Sequence, residues 1–220
     1  MAEDRAAKIL QTLRDNFTIP SWVTSDKDPF TTLIITIISQ NTSDKNTARA
    51  FETLSKNFQI TPEALAKAEK EKIEEALKTA GLYRNKAKVI KRVSRIILEK
   101  FGGSLEPILA MPLEEARKTL MQLPGVGPKT ADVVLLFSRG YPTIPVDTHV
   151  KRVSKRLGLT SANGGYEEVR KSLQLLYKPE DYFDVHLLLI LLGRRYCRAI
   201  NPQCQKCPVK TLCPSGKNQN

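Results

Sequence analysis

The sequence predicts an all-α protein, because strand patterns are nearly absent and apolar residues recur at helical spacing. The segments with this spacing are separated by short breaks that are rich in glycine, proline and asparagine. A length of 220 residues is enough to bury a core in one domain or in two small ones. With 41% hydrophobic and 26% charged residues, the composition is that of a folded protein, and large disordered regions are not expected.

Caps and prolines mark the first helices. One helix is predicted over residues 6–17, and a second begins at Pro29 and ends near Gln40. Asp44 is predicted to be the N-cap of a third helix, over residues 45–57. The residues expected on the buried face of that helix are Ala48, Phe51 and Leu54.

The strongest helical periodicity lies in the middle of the chain. Thr61 followed by Pro62 predicts a capped start for the short helices that come next. A long helix is predicted over residues 83–101, where two glycines end it, and another begins at Pro112. The residues expected on the buried face of the long helix are Ala87, Ile90, Val93 and Ile97.

The last third of the chain is again helical. Helices are predicted over residues 148–157, 166–176 and 182–195. Residues 143–145, Thr-Ile-Pro, have some strand character, but they stand between two strongly helical segments. We therefore expect an extended connector at this place rather than a strand.

Basic residues are in excess over acidic ones. The chain has 35 Lys and Arg residues against 23 Asp and Glu, which leaves a net charge of +12. Such an excess favours a polyanionic partner, of which nucleic acid is the commonest, although a solvated lysine-rich surface would give the same total. Aromatic residues, on which single-strand binders stack their bases, make up only 6%, so a double-stranded partner is favoured.

The sequence carries no clear targeting or membrane signal. Its first 13 residues are charged and have no apolar core, so they do not look like a signal peptide. The longest apolar run, residues 33–38, is far shorter than the roughly 18 residues that a membrane span needs. We expect a soluble intracellular protein, cytoplasmic or nucleoid-associated in a bacterium and nuclear or organellar in a eukaryote.

A glycine-rich turn joins two predicted helices near the centre of the chain. Residues 123–131 read LPGVGPKTA. Gly125 and Gly127 permit positive φ, and because they have no Cβ they let another group approach the backbone closely. Successive N–H groups can then point into one concavity at the start of the next helix, which is an anion site suited to a DNA phosphate. Pro128 presets helical φ at the first position of that helix.

All four cysteines lie in the last 24 residues, as Cys197, Cys204, Cys207 and Cys213, with the spacing C-x6-C-x2-C-x5-C. A secreted disulfide-bonded protein usually spreads its cysteines through the fold, whereas four thiolates in one short loop indicate a metal site. Sulfur ligands suit zinc or an iron–sulfur cluster. Zinc ribbons usually have two C-x2-C pairs, and only one such pair occurs here, so the spacing favours iron–sulfur over zinc.

Taken with VDTH at residues 146–149, the glycine-rich turn resembles the helix–hairpin–helix signature of the endonuclease III family. The cysteine pattern resembles the iron–sulfur loop of that family, which also follows the last helix. The resemblance covers roughly residues 29–214. It implies a two-lobed helix–hairpin–helix DNA glycosylase fold. One lobe would be a helical bundle domain over residues 28–137, and the other a helical iron–sulfur cluster domain built from residues 1–27 and 138–220.

The resemblance also assigns roles to three side chains. Lys129 matches the family's nucleophile. The neutral amine of that residue attacks the sugar C1′, displaces the base and forms a Schiff base that permits β-elimination. A helix N-terminus and partial desolvation would lower the pKa of this amine. Asp147 matches the essential aspartate, expected to face Lys129 across the DNA groove and to stabilise an oxocarbenium-like sugar. It is also a good N-cap for the helix that follows, and the two roles are compatible. His149 is expected to contact DNA or to support Asp147.

Two further loops resemble those with which the family opens the duplex. Residues 39–44, SQNTSD, stand in place of the loop whose glutamine fills the vacated space, and Gln40 matches that glutamine. The neighbouring residues differ, so the register could shift by one, and Gln40 could instead be an ordinary polar residue at a helix end. Leu82 resembles the leucine that wedges beside the orphan base, with a buried loop leucine as the alternative. Between residues 84 and 95 the next helix carries six basic residues, which cannot all lie on one face.

The resemblance implies a base-excision-repair glycosylase with AP lyase activity that removes oxidised pyrimidines from duplex DNA. We expect a monomer, in which Gly125, Val126 and Gly127 would belong to the DNA-binding turn. The implied cofactor is a [4Fe–4S] cluster bound by the four cysteines. Two alternatives remain open: a mismatch or uracil glycosylase of the same superfamily, and a non-catalytic iron–sulfur protein that binds DNA.

Overall fold

The structure, a computed structural model, describes residues 2–20 and 28–217, and these residues form helices and 3-10 turns but no β-strand. They divide into two compact units. The bundle unit comprises residues 28–141, and the cysteine unit comprises residues 2–20 and 142–217. Within these ranges, none of the helices combines the length and the apolar character that crossing a membrane requires.

The helix bounds follow in chain order. The helices are α1 (Ala2–Asn16), α2 (Pro29–Ser39), α3 (Asp44–Asn57), α4 (Pro62–Lys67), α5 (Lys70–Ala76), α6 (Tyr83–Phe101), α7 (Glu106–Leu109), α8 (Leu113–Met121), α9 (Pro128–Arg139), α10 (Thr148–Arg156), α11 (Tyr166–Leu176), α12 (Tyr182–Arg195) and α13 (Pro214–Lys217). The 3-10 turns are Lys78–Ala80, Pro179–Asp181, Cys204–Lys206 and Lys210–Leu212.

The bundle unit is built around α2, which contacts α3, α6 and α9. Helix α2 is apolar on nearly every side, as a central helix must be, and Leu33, Ile34 and Ile37 are completely or almost completely buried. Burying each such side chain contributes about 1.5–3 kcal/mol relative to leaving it in water. Helix α6 lies against it with its predicted apolar stripe, because Ala87, Ile90, Val93 and Ile97 are all fully buried.

The predicted start of α3 is wrong by one residue. Ser43, not Asp44, is the N-cap, since it has an extended backbone and its Oγ accepts a hydrogen bond from the Asn46 N–H at 3.3 Å. Serine and aspartate cap helices equally well, so local sequence does not choose between them. The phase of the helix also differs from the prediction: Ala48 is exposed, whereas Ala50 is buried beside Leu54.

The cysteine unit joins the N-terminal helix to the C-terminal half of the chain. Helix α1 packs its apolar face on α11 and α12. Arg5 on α1 also donates to the carbonyl oxygens of Leu157 at 2.6 Å, Gly158 at 2.7 Å and Leu212 at 3.2 Å. These three carbonyls lie at the end of α10 and within the cysteine loop, so Arg5 ties α1 to both of them.

Helices α10 and α12 approach each other closely at Gly193. A Cβ at this position would lie 3.0 Å from His149 Nδ1 and 3.1 Å from Val153 Cγ2, so a larger residue would push the helices apart. The predicted bounds of α11 and α12 are confirmed, and α10 ends one residue earlier than expected. The connector over residues 143–145 is extended and buried without forming a strand, as predicted.

Candidate functional site

The glycine-rich turn forms a tight hairpin between α8 and α9. Gly125 has φ of 76°, in the left-handed region, and a Cβ there would lie only 2.5 Å from Val89 Cγ1 on α6. Both the backbone conformation and the available space therefore require glycine. Gly127 differs, because its φ of −94° is ordinary and a Cβ would meet nothing within 4 Å. Glycine at 127 leaves the surface beside the start of α9 open.

Val126 acts inside the hairpin. Its side chain is buried, and its N–H donates to the Leu123 carbonyl at 3.1 Å. This geometry leaves the neighbouring glycines as the exposed part of the turn. Val126 therefore supports the turn with a buried side chain, and its assignment to the DNA-binding residues stays a prediction.

A buried ion pair fixes the two helices that flank the hairpin. Arg117 on α8 donates through Nε to Asp132 Oδ1 at 2.9 Å and through Nη2 to Oδ2 at 3.3 Å. Asp132 is completely buried on α9, one turn after Lys129. Paired, planar hydrogen bonds of this kind restrain orientation as well as distance. The pair therefore holds the start of α9 in register with the end of α8.

Lys129 is the second residue of α9 and is half-buried, directly after Pro128. The amine thus starts from the positive end of a helix of 12 residues, where an additional positive charge is disfavoured. Gln40 reaches the same turn, because its Nε2 donates to the Gly125 carbonyl at 2.9 Å and lies 3.4 Å from Thr130 Oγ1. The side chain of Gln40 therefore supports the hairpin in this structure.

Two exposed loop residues have left-handed backbones. Asn41, which sequence reasoning did not select, is exposed with φ of 53°. Leu82 has φ of 47° and is 63% exposed, so the alternative of a buried loop leucine is wrong. Asparagine adopts this conformation more readily than most residues, and that preference was the available signal at position 41.

Asp147 and His149 lie at the start of α10, in the cysteine unit. Asp147 is confirmed as the N-cap, because its Oδ1 accepts from the Val150 N–H at 2.7 Å. Arg152 Nη2 lies 3.1 Å from His149 Nδ1. A guanidinium can only donate, so Nδ1 accepts and the ring proton is assigned to Nε2. Arg152 also donates to the carbonyls of Cys197 at 3.0 Å and Gly193 at 3.2 Å, which joins the histidine to the cysteine loop.

The four cysteines line one cavity of about 240 Å³. Burial raises the pKa of the Cys207 thiol to about 11 and raises that of Cys213, so a bound cation is needed to favour the thiolates. Arg156 Nη1 lies 3.6 Å from Cys197 Sγ, and its carbonyl accepts from Cys213 Sγ at 3.3 Å. Within residues 2–20 and 28–217, no three His, Cys, Asp or Glu side chains are arranged around one metal ion. Four sulfur donors around one cavity fit a metal centre held by thiolates.

Comparison with known families agrees with this geometry. Residues 34–179 match the model of the HhH-GPD superfamily base excision DNA repair protein. Endonuclease III of Thermotoga maritima is 39% identical over 188 residues, which cover 86% of this chain and 84% of that protein. Endonuclease III of Escherichia coli strain K12 is 35% identical over 217 residues, covering 97% and 96% respectively.

The chain belongs to the endonuclease III family.

Solved structures of endonuclease III share the fold as well as the sequence. A trapped covalent intermediate of endonuclease III with DNA has a TM-score of 0.85 at 33% identity, and the match covers 98% of this chain and 97% of that one. A thermostable thymine-DNA glycosylase has a TM-score of 0.76 at 24% identity, which shows the common fold alone. The sequence-based predictions of an all-α helix–hairpin–helix fold and of the family are thereby confirmed.

Three basic residues of this chain were missed by sequence reasoning. Arg117 and Arg152 bind groups that are distant in sequence, and no local pattern identifies such partners. Lys86 is buried, and here a signal existed. It precedes Ile90 by one helical turn and so lies on the apolar stripe of α6, where a solvated lysine is not expected.

Proposed function

We propose that this protein is a bifunctional DNA glycosylase and AP lyase of base excision repair, which releases oxidised pyrimidines from duplex DNA. The observation that carries the proposal is Lys129 on the first turn of α9, directly after a hairpin in which Gly127 leaves the surface open. A monofunctional glycosylase needs no amine at this position. The presence of lysine therefore favours the Schiff-base route.

The reaction proceeds in two steps that this side chain supports. The Lys129 amine forms a bond to C1′ of the sugar while the bond from C1′ to the base breaks, and the opened sugar becomes a protonated Schiff base. Loss of a proton from C2′ then expels the 3′ phosphate by β-elimination. The attacking amine must be neutral when it forms this bond.

Asp147 is the proposed carboxylate of the same reaction. Its Oδ1 is held by the Val150 N–H, which fixes the side chain at the exposed start of α10. A carboxylate so held stabilises positive charge that develops on the sugar ring and exchanges protons with the leaving base. His149, with its proton assigned to Nε2, is positioned by Arg152 and is proposed to contact DNA.

The duplex is held by backbone groups and opened by loop residues. Gly125 and Gly127 allow a phosphate to approach the first N–H groups of α9, which lack intrahelical partners. Leu82 is proposed as the apolar wedge beside the orphan base, because its large apolar side chain is exposed in a loop. Gln40 is proposed to act in this region through its hold on the hairpin.

Cys197, Cys204, Cys207 and Cys213 are proposed to hold a [4Fe–4S] cluster. Four thiols spread around one cavity suit several metal atoms better than one zinc ion, whose sulfur ligands all lie about 2.3 Å from a single centre. When bound, the cluster would cross-link the loop. Arg156 and Arg152 hold the backbone of that loop at Arg198 and Cys197, so the basic residues around it stay in place for DNA phosphates.

Borohydride trapping tests the proposal on a duplex that contains one abasic site. Wild type is expected to give a covalent protein–DNA band that Lys129→Ala abolishes, while Lys88→Ala, an exposed lysine on α6, keeps it. Excision of oxidised pyrimidines, uracil and mismatched thymine by the same preparation then identifies the base. Absence of a band from iron-loaded wild type would exclude the lysine mechanism, and preference for uracil or mismatches would exclude the proposed substrate.

A further inference from the structure

A buried ammonium group lies between the two loops that carry Asn41 and Leu82. Lys86 on α6 is only 4% exposed. Its Nζ donates to the carbonyl oxygens of Ile38 and Ala80, each at 2.8 Å, and to Thr42 Oγ1. The three protons of the ammonium therefore have three acceptors.

These acceptors belong to both loops. Ile38 and Thr42 flank the segment that contains Gln40 and Asn41, whereas Ala80 lies two residues before Leu82. Thr42 Oγ1 also donates to the Ala80 carbonyl, which bonds one loop to the other directly. Lys86 and Thr42 together make a single joint between the two loops.

The joint is close in sequence to two residues with strained backbones, Asn41 and Leu82. Apart from Asn201 in the cysteine loop, Asn41 and Leu82 are the non-glycine residues with positive φ among residues 2–20 and 28–217. Such a conformation persists only where the surrounding structure over-determines it. Each strained residue is exposed and lies within three residues of an atom that Lys86 binds, so the joint supplies this constraint.

Burying this charge has a desolvation cost. The acceptors bound to Lys86 are neutral, and burial lowers the pKa of the amine. An apolar side chain of similar length would avoid the desolvation of an ammonium group, as replacements of buried charges in other proteins indicate. An apolar side chain could not bind the Ile38 and Ala80 carbonyls at the same time, and this is what the lysine supplies.

We infer that Lys86 is a positioning residue for base opening, whose ammonium group joins the Asn41 loop and the Leu82 loop into one rigid element. The inference rests on the proposed function. When the two loops are joined, Asn41 and Leu82 keep fixed positions relative to each other. Leu82 can then enter the duplex without the entropy loss of ordering its loop. If the joint is lost, the loops separate and extrusion of the base becomes inefficient, while the chemistry at Lys129 is untouched.

The test compares Lys86→Met with Lys91→Met. Lys91 lies on the same helix and donates to the carbonyls of Ala66 and Ala68, so its loss removes the same kind of interaction away from the Asn41 and Leu82 loops. Three quantities are measured for each variant: single-turnover excision from an oxidised-pyrimidine duplex, borohydride trapping on a single-stranded abasic oligonucleotide, and fluorescence of 2-aminopurine placed opposite the lesion.

For Lys86→Met, excision from the duplex is expected to fall about 10- to 100-fold, the range that small misplacements produce, and the 2-aminopurine signal on binding is expected to disappear. Trapping on the single strand should stay near wild type, because no base has to be extruded there. Lys91→Met should match wild type in all three measurements. Unchanged duplex excision by Lys86→Met, or an equal loss on duplex and single strand, would overturn the inference.

Two further controls keep the result decisive. If Lys86→Met does not fold, Thr42→Val cuts the same joint from the other side and is expected to give the same pattern with a smaller loss. If wild type neither traps nor excises, the proposed function fails. The 2-aminopurine signal in wild type and in the two lysine variants then still decides whether the joint opens DNA.

Discussion

Replacing Gly125 with alanine should destabilise the bundle unit through two separable effects. The left-handed backbone at φ of 76° costs a residue with a Cβ about 1–2 kcal/mol. The new Cβ would also lie 2.5 Å from Val89 Cγ1, and forcing an extra methyl group into a packed site costs typically about 1–3 kcal/mol. The expected loss is the sum, about 2–5 kcal/mol, reduced where the Val89 side chain can rotate away.

Urea unfolding followed by circular dichroism measures this loss against two matched variants. In the double variant Gly125→Ala/Val89→Ala the clash is absent. Its free energy of unfolding should therefore fall below that of Val89→Ala only by the backbone part of the loss, because the steric part is recovered. Gly127→Ala should unfold like wild type, since its φ is ordinary and its Cβ would meet nothing, yet it should bind duplex DNA more weakly because the methyl group obstructs the phosphate. A Gly125→Ala protein as stable as wild type would refute the geometric argument, and so would a double variant that recovers nothing.

Three other predictions follow from the same structure. Asp132→Asn leaves Arg117 buried without its carboxylate and should lower the free energy of unfolding by about 3–5 kcal/mol, measured by urea unfolding; a loss below about 1 kcal/mol would show that the pair does not hold the hairpin. Cys204→Ser should lose iron and the broad absorbance near ~400 nm expected of thiolate-bound iron, and stoichiometric zinc without iron in the wild type would contradict the cluster. Duplex affinity, measured by fluorescence anisotropy, should fall steeply between about 50 and 200 mM salt because bound phosphates release counterions, and a flat response would contradict the phosphate contacts.

Features with a local cause could be predicted from the sequence. The bounds of α6, α11 and α12 follow from apolar periodicity and from the residues that start and stop a helix, and all these signals lie within a few positions of the helix itself. The hairpin and the cysteine loop have short, distinctive spacings, which indicated the family; the kind of metal stays a prediction. Asp147 as an N-cap is likewise decided by its own side chain and the third residue after it.

Only the tertiary structure decided which side chains serve the core and which are left exposed. Lys86, one of six basic residues early in α6, is used inside the bundle unit because carbonyls from two distant turns meet at its Nζ. The amide of Gln40 donates to the Gly125 carbonyl, whereas the side chains of Asn41 and Leu82 are exposed. Such partners are up to 85 residues apart, and nothing in the neighbourhood of either one specifies the other. Local propensities determine where helices begin and end, whereas the free energy of these polar groups depends on acceptors that only packing brings within reach.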